Sequence, residues 1–197
     1  MASTKLSRKE LRRRGRSQRQ LVSRLILGAV AVLGVVALGY GVWQAMKPQP
    51  GTSVPVMASV QHIEIDEAHE PYNSDPPTSG SHYVEPAQAG FYDEALPDEQ
   101  LVHNLEHGYV IIWYNCTGLE ETVCESFKEK IRGVMGQAGT AGLSSSIKLI
   151  AVPRLSLPGS IAATSWGRLY QPETFDPDEL LVFIKVFRNK APEPNAP

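Results

Sequence analysis

The chain has 197 residues and a formal net charge of −2, a value that hides a sharp division of charge. Residues 1–24 hold nine of the 19 Lys and Arg residues and one acid, whereas residues 48–197 hold 20 acids and nine bases. The second part therefore carries a formal charge of about −11 with neutral histidines. That charge argues against nucleic acid or anionic lipid as its partner.

An apolar segment follows the basic N-terminal residues. Residues 25–43 form a run of 19 residues without a charge, and Tyr40 and Trp43 lie at its end. A helix of this length is about 28 Å long, close to the hydrocarbon thickness of a bilayer. The aromatic residues fit the membrane interface, and the basic segment indicates a cytoplasmic N-terminus. We therefore predict a cytoplasmic tail over 1–24 and a transmembrane helix over 25–46.

A cleaved signal peptide is the alternative interpretation, since it also combines a basic start with an apolar core. Its apolar region is normally shorter, and a small-residue cleavage site should follow it closely. The longer run favours a retained signal-anchor in the cell membrane, with the C-terminal part outside. The basic tail then has anionic lipid, and not nucleic acid, as its nearest partner.

Proline-rich segments flank a region of about 130 residues on the predicted outer side. Residues 47–57 are punctuated by proline and predict a semi-extended linker, and residues 191–197 predict a disordered tail. The intervening region, 58–190, is long enough for one domain with one core. We expect a single extracytoplasmic domain that the linker holds off the bilayer.

Cys116 and Cys124 are the only cysteines, and both lie on the predicted outer side. In an oxidising compartment such a pair is interpreted first as a disulfide. The loop between them is long enough to close, and a bridge over so short a loop contributes roughly 2–3 kcal/mol. The spacing excludes a Cys-x-x-Cys redox pair. Two thiolate metal ligands remain the alternative.

The first half of the predicted domain contains few regular elements. Residues 60–65 alternate in polarity and predict a strand, whereas residues 71–97, rich in Pro, Gly, Ser and Tyr, predict an irregular loop. A short helix then begins after Pro97 and ends at His107, because Gly108 supplies its C-terminal stop.

Three further strands and two longer helices are predicted after that loop. The apolar runs 109–114, 147–152 and 161–167 predict strands, the first of them a fully buried central strand. Residues 120–137 predict a helix, as do residues 176–186, which begin with an acidic, proline-containing turn. The apolar stripe of the first of these helices comprises Val123, Phe127, Ile131, Val134 and Met135.

The predicted order of elements is β, short α, β, α, β, β, α. This order indicates a single layered α/β domain preceded by one transmembrane helix. The last five elements are similar to part of a thioredoxin-like arrangement, an analogy that concerns the fold alone.

All five histidines lie between residues 62 and 107. Imidazole is the commonest protein metal ligand and an acid or base near neutral pH, so ligand binding or chemistry is expected in this region. On the short helix, His103 and His107 are four residues apart and project side by side, flanked by Glu106. Two such imidazoles can share one metal ion, or the carboxylate can orient one of them.

Other interpretations of these helical residues remain open. His103, Glu106 and His107 could face solvent, or they could form a hydrogen-bond network that fixes the neighbouring Pro-rich loop. The same residues spell His-x-x-Glu-His, the inverzincin protease pattern. That match is weak, because Gly108 ends the helix at once and no helix with a third ligand is evident.

His82 lies in a different setting from the helical pair. It ends the segment PPTSGSH (76–82), whose prolines, hydroxyls and glycine can lock a side chain in place or form an anion-binding nest of backbone N–H groups. His62 on the predicted strand and His69 in an acidic loop are weaker candidates. We expect His69 at the solvated surface.

The combination of two motifs resembles a known family. The segments PPTSGSHY (76–83), GFY (90–92) and VHNLEHG (102–108), followed by a Val- and Ile-rich strand, are similar to the family catalogued as domain of unknown function 3105. The resemblance covers about residues 58–190 and implies a bacterial protein with an N-terminal membrane anchor. It implies no particular activity, and the cysteine pair is outside its pattern. The residues that match hallmark positions of the family are His82, His103, Glu106 and His107.

The first functional hypothesis is a metal site on the outer face of the membrane. His82, His103 and His107 would bind a divalent or copper ion, with Glu106 or Tyr92 close by. Imidazole ligands suit Zn or Cu, and the lack of a thiolate or Met cluster argues against a dedicated Cu(I) carrier.

Two alternatives belong to other functional classes. The first is a non-enzymatic interaction or structural module of the cell envelope, in which the His/Glu cluster is a hydrogen-bond network. The second is a hydrolase with histidine as the base, for which Ser79 and Ser81 beside His82 are the only nucleophile candidates. The sequence indicates no protein partner and no substrate.

Overall fold

The computed structural model describes residues 8–46, 49–140 and 147–196. Residues 1–7 of the predicted tail, 47–48 of the predicted linker and Pro197 of the predicted disordered end lie outside the described residues. The chain divides into two compact units, Met1–Pro48 and Gln49–Pro197.

The described part of the N-terminal unit contains one helix, α1 (Arg8–Ala45). Within α1, Arg24–Trp43 is long and apolar enough to cross a membrane, close to the predicted span 25–46. An N-terminal signal sequence meets the same criteria of length and composition. This stretch is therefore a candidate for either a membrane span or a signal sequence.

The C-terminal unit is a mixed α/β domain, as predicted. Its described strands are β1 (Thr52–Ser53), β2 (His62–Ile63), β3 (His82–Tyr83), β4 (Gly90–Phe91), β5 (Val110–Tyr114), β6 (Leu149–Pro153), β7 (Ile161–Ser165) and β8 (Arg168–Tyr170). Its described helices are α2 (Asp98–Glu106), α3 (Glu121–Thr140) and α4 (Pro177–Phe187).

Six of these strands form one mixed sheet in the order β1-β8-β7-β5-β6-β4, while β2 and β3 form a separate parallel pair. The central strands β5 and β6 are parallel, and β7 pairs antiparallel with the other edge of β5. The order from β5 to α4 agrees with the predicted βαββα run, except that its last predicted strand is a hairpin of β7 and β8.

Side chains on the two faces of the central strands enter two different cores, because successive residues point to opposite faces. Val110 and Ile112 of β5 pack with α3 and α4 in one core. Ile111 and Trp113 pack with α2 in the other core. The sheet is therefore covered on both faces, and the helix of the predicted metal ligands lies on the second face.

Several boundaries differ from the sequence prediction. The predicted linker contains β1, which pairs with β8 through Thr52 and Leu169, and the strand predicted over 60–65 is regular only at β2. Val123, predicted as the start of the apolar stripe of α3, is 51% exposed. The stripe therefore begins only at Phe127, which is partly buried against the core.

Residues 191–196 also differ from the predicted disordered tail, because hydrogen bonds hold their backbone. Nζ of Lys148 donates to the carbonyl oxygens of Pro194 and Ala196 at 2.9 and 2.6 Å. The backbone N–H of Glu193 donates to the carbonyl oxygen of Glu106 at 3.0 Å. A proline-rich composition indicates disorder only when nothing fixes the segment, and here a buried lysine does.

Cys116 and Cys124 lie between β5 and the first turn of α3, with their Sγ atoms 2.04 Å apart, at disulfide distance. This pairing uses both cysteines. Neither sulfur therefore remains available as a thiolate metal ligand.

Candidate metal centre

A buried loop positions His82. Thr78 and His82 are both 0% exposed, and the hydroxyl of Tyr72 donates to the carbonyl oxygen of Ser81 at 2.7 Å. Gly80 is required in this loop, since its φ is +131° and a Cβ would lie 2.7 Å from the ring of Tyr72. Of the two roles predicted for this loop, the locking of a side chain and an anion-binding nest, its packing therefore suits the first.

The end of α2 carries the other predicted ligands. His103 and Glu106 are in the last turn and His107 is the C-cap, and these residues are 5%, 8% and 7% exposed. Gly108 ends the helix at a φ of +86°, where a Cβ would lie 2.8 Å from Cα of Asn189. The helix end is thus packed inside the domain, which excludes the interpretation of a solvent-facing His/Glu surface.

Two backbone carbonyls fix the tautomers of His82 and His103. Nδ1 of His82 lies 2.8 Å from the carbonyl oxygen of Gly80, and Nδ1 of His103 lies 2.5 Å from that of Tyr83. A carbonyl oxygen only accepts, so each Nδ1 carries a hydrogen. Nε2 is then the atom with the free lone pair, as in metal-ligating histidines, which usually donate their other N–H to a carbonyl or carboxylate.

Three imidazoles converge in the described part of the chain. The candidate ligand atoms of His62, His82 and His103 all lie within 4.8 Å of one another. The β2–β3 pair brings the first two together, because His62 is the register partner of His82. His62 is exposed, whereas the other two are buried. This cluster could hold a metal ion that enters from the side of His62.

Glu106 and His107 extend this three-histidine cluster. Oε2 of Glu106 lies 3.0 Å from Nε2 of His82, and Nε2 of His107 lies 2.9 Å from Nε2 of His103. Nδ1 of His82 and Nδ1 of His103 already donate to carbonyl oxygens, so each neutral ring has only an acceptor at Nε2. A hydrogen must therefore lie between the two atoms of each of these contacts. Two ligands of a tetrahedral ion lie about 3.3 Å apart when metal–nitrogen bonds are about 2.05 Å. An ion could therefore replace these hydrogens after small side-chain shifts.

Burial lowers the pKa of His103 below its usual value, and the neighbouring rings of His107, His82 and His62 lower it further. The hydrogen bond with the carbonyl oxygen of Tyr83 acts in the opposite direction. The neutral imidazole is the form that binds a metal ion. The surroundings of His103 therefore favour its ligand form.

Two further candidates use their polar atoms elsewhere. Nε2 of His69 lies 3.1 Å from Oε1 of Glu99, and its Nδ1 lies 2.7 Å from the carbonyl oxygen of Glu70. The hydroxyl of Tyr92 donates to the carbonyl oxygen of Gln88 at 2.9 Å. These contacts connect neither residue to the histidine cluster.

The two serines near His82 in the sequence are also engaged away from its ring. Oγ of Ser79 accepts the backbone N–H of Met57 at 3.0 Å. Oγ of Ser81 lies 3.1 Å from Oγ of Ser59. These contacts do not form the serine–histidine pair that a hydrolase of this kind would need.

Two residues that lie beside the predicted ligands have little or no signal in the sequence. His62 lies on a predicted strand, but its partner β3 has only two residues and shows no periodicity. Glu193, whose Oε2 lies 3.7 Å from Nε2 of His107, belongs to the proline-rich end of the chain. Nothing in that composition points to the helix end 86 residues earlier in the chain.

Comparison with known proteins identifies the family of the chain. The family model described as a protein of unknown function (DUF3105) matches residues 62–197, a range that contains the whole histidine cluster. No curated protein and no solved structure matches the chain, so the thioredoxin-like analogy rests on the order of the elements alone. As its sequence motifs predict, the chain belongs to the DUF3105 family.

Proposed function

We propose that the chain is a single-pass membrane protein whose extracytoplasmic domain binds a Zn or Cu ion. The ligands are His62, His82 and His103, with Glu106 and His107 at the same site. The observation that carries this proposal is the pair of carbonyl contacts at Nδ1 of His82 and His103. Because these contacts place a hydrogen on Nδ1, Nε2 is the nitrogen of each ring that can bind an ion, once the ion displaces the hydrogen in the contact with Glu106 or His107.

The donor set supports Zn or Cu over other ions. The site offers imidazole nitrogens and one or two carboxylates, and both cysteines of the chain are at disulfide distance. Imidazole suits Zn and Cu, whereas Mg and Ca prefer oxygen ligands and Cu(I) carriers use sulfur. The same donors would suit a protein that holds a metal ion at the outer surface of the membrane.

The membrane topology is part of the proposal. The apolar stretch Arg24–Trp43 supports a membrane anchor over 25–46, and the basic residues of 1–24 support a cytoplasmic tail. The disulfide-distance pair favours an oxidising compartment for the domain over 58–190. A retained anchor with the domain outside accounts for these features together.

A second candidate function is a structural or interaction module of the cell envelope. Every buried side-chain nitrogen and oxygen among the described residues has a hydrogen-bond partner. The contacts of Glu106 with His82, and of His103 with Tyr83, also join α2 to the Pro-rich loop. A network that is complete without an ion would serve to fix this loop.

Metal content decides between the two candidates. The full chain is produced with export to an oxidising compartment, purified in detergent, and analysed for bound metals before and after incubation with Zn²⁺ or Cu²⁺. The metal site predicts one ion per chain with a Kd below about 10 µM, a free energy near −7 kcal/mol. A chain that takes up neither ion in this range rejects the metal site. The variant His69→Ala is the control, since His69 bonds outside the cluster.

Thermal unfolding of His103→Ala adds a second test. Loss of a buried hydrogen-bonding group should lower Tm in chelator under either candidate function. Only the metal site predicts a larger loss in the presence of Zn²⁺, because a ligand that binds the native state raises its stability. An equal loss with and without Zn²⁺ rejects the site and supports the structural module.

Protease accessibility tests the topology. A protease added outside intact cells should digest the domain over 58–190 and spare the basic tail. Intact mass of the purified protein should include residues 1–24. A mature N-terminus beyond Trp43 would instead show a cleaved and released protein.

A further inference from the structure

The C-terminal residues 191–196 lie beside the histidine cluster, and we name them the C-terminal strap. The backbone N–H of Glu193 donates to the carbonyl oxygen of Glu106 at 3.0 Å. Oε2 of Glu193 lies 3.7 Å from Nε2 of His107. The N–H of Ala196 donates to the carbonyl oxygen of Glu193 at 3.1 Å, which closes a turn at this residue.

Lys148 fastens the strap to the end of α2. This lysine is 5% exposed, and its Nζ donates to the carbonyl oxygens of His107, Pro194 and Ala196 at 2.8, 2.9 and 2.6 Å. A buried ammonium is stable only when its hydrogens are bonded, and three carbonyls satisfy its three hydrogens. The strap is therefore held at the same residue, His107, whose ring faces Glu193.

We propose that Glu193 is a further ligand of the metal ion and that the strap brings it to the site. This inference rests on the proposed metal-binding function. Without Glu193, a divalent ion in the cluster would meet neutral imidazoles and a single carboxylate, Glu106, which leaves one positive charge in a largely buried site. A second carboxylate removes that charge, and charge balance favours binding in such surroundings.

His107 contacts both His103 and Glu193 at distances close to those between two ligands of one ion. Nε2 of His107 lies 2.9 Å from Nε2 of His103 and 3.7 Å from Oε2 of Glu193. These values lie on either side of the separation of about 3.3 Å between two ligands of a tetrahedral ion.

An exposed ion pair between Glu193 and His107 is the alternative. The side chain of Glu193 is 57% exposed, and pairs at such exposure contribute little to stability. The two interpretations therefore differ in what metal binding does: a ligand changes the affinity and the electronic environment of the ion, whereas a surface pair changes neither.

Glu193→Gln tests the ligand role in the full chain, with Zn²⁺ and Co²⁺ as the probes. Glu94→Gln is the matched control, because Glu94 is an exposed carboxylate in the loop before α2. We expect Glu193→Gln to weaken Zn²⁺ binding about tenfold or more, to change the visible absorption spectrum of bound Co²⁺, and to leave Tm in chelator unchanged. Glu94→Gln should behave as the wild type. Lys148→Met should also weaken Zn²⁺ binding, because it releases the strap.

The outcomes separate this inference from the function on which it rests. A wild-type chain that binds no Zn²⁺ rejects both. A wild-type chain that binds Zn²⁺, together with a Glu193→Gln variant of equal affinity and unchanged Co²⁺ spectrum, overturns the ligand role of Glu193 alone. That role is also overturned if Glu193→Gln lowers Tm in chelator as much as it lowers Tm with Zn²⁺.

Discussion

Nε2 of His82 and Oε2 of Glu106 lie 3.0 Å apart in the interior of the domain. Nδ1 of His82 already donates to the carbonyl oxygen of Gly80, so the contact with Glu106 has to contain a hydrogen. One carboxylate thus completes the hydrogen bonding of a fully buried imidazole when no ion is present. The same two atoms are candidate ligands for an ion, which links the stability of the metal-free domain to the proposed metal site.

Substitution of Glu106 should separate these two effects. Glu106→Ala leaves Nε2 of His82 without its partner, which costs about 1–3 kcal/mol, or several degrees in Tm. Glu106→Gln retains an amide that can donate to Nε2, so its Tm in chelator should fall by less. Both variants should bind Zn²⁺ more weakly, because each lacks the carboxylate charge.

Thermal unfolding in chelator and Zn²⁺ titration of the three proteins check this prediction. Equal Tm for wild type and Glu106→Ala would show that the contact does not stabilise the domain. Equal Zn²⁺ affinity in all three would remove Glu106 from the site.

His62→Ala should affect metal binding without affecting the metal-free domain. His62 is exposed, and exposed substitutions usually change stability by less than about 0.5 kcal/mol. We therefore expect an unchanged Tm in chelator and a loss of Zn²⁺ affinity of tenfold or more, the usual order of effect at a metal site. His69→Ala serves as the matched control, and equal affinities of the two variants would exclude His62 as a ligand.

The sequence predicts the parts of the fold that depend on local patterns. The buried run at β5 and the acidic, proline-containing start of α4 both lie where their patterns indicate. The spacing of four residues between His103 and His107 likewise predicts that their rings meet, and the two Nε2 atoms are 2.9 Å apart. In each case the information lies within one turn or one strand.

The remaining parts of the site depend on contacts between distant segments. His62 joins the cluster through a pairing with His82 that involves only two residues on each strand, too few for a hydrophobic period. The strap is held by Lys148, which precedes Pro194 by 46 residues in the sequence. Its proline-rich composition describes the local chain and contains no information about this distant hydrogen-bond donor.

The pair of His69 and Glu99 should make stability depend on pH. The hydrogen bond with Glu99 is the main cause that raises the pKa of His69, while burial opposes it. The folded pKa then lies above the unfolded value of about 6.5. The pair therefore stabilises the fold fully below that value, and this contribution is lost as pH rises through the folded pKa.

Glu99→Gln tests this dependence. The Tm of wild type should exceed that of the variant at pH 5.5, and the difference should shrink towards pH 8.5. We expect a few degrees at most, because a pair near the surface contributes about 1 kcal/mol or less. Calorimetry in the presence of chelator removes any contribution from metal binding. A difference in Tm that stays constant between the two pH values would contradict the prediction.

Gly80→Ala should disturb both the loop and the proposed metal site. The φ of Gly80 is +131°, and the new Cβ would lie 2.7 Å from the ring of Tyr72. Backbone strain of this kind costs about 1–3 kcal/mol, so Tm in chelator should fall by several degrees. The carbonyl oxygen of Gly80 also accepts from Nδ1 of His82, so a shifted loop should turn that imidazole and weaken Zn²⁺ binding.

Gly133→Ala provides the control for this substitution. Gly133 lies in α3, and a Cβ there would meet nothing within 4 Å. Alanine is favoured over glycine in a helix by about 0.5–1 kcal/mol, so the Tm of this variant should stay equal or rise, with unchanged Zn²⁺ affinity. If Gly80→Ala lowers Tm but binds Zn²⁺ as tightly as the wild type, the loop stabilises the domain without positioning His82 for the ion.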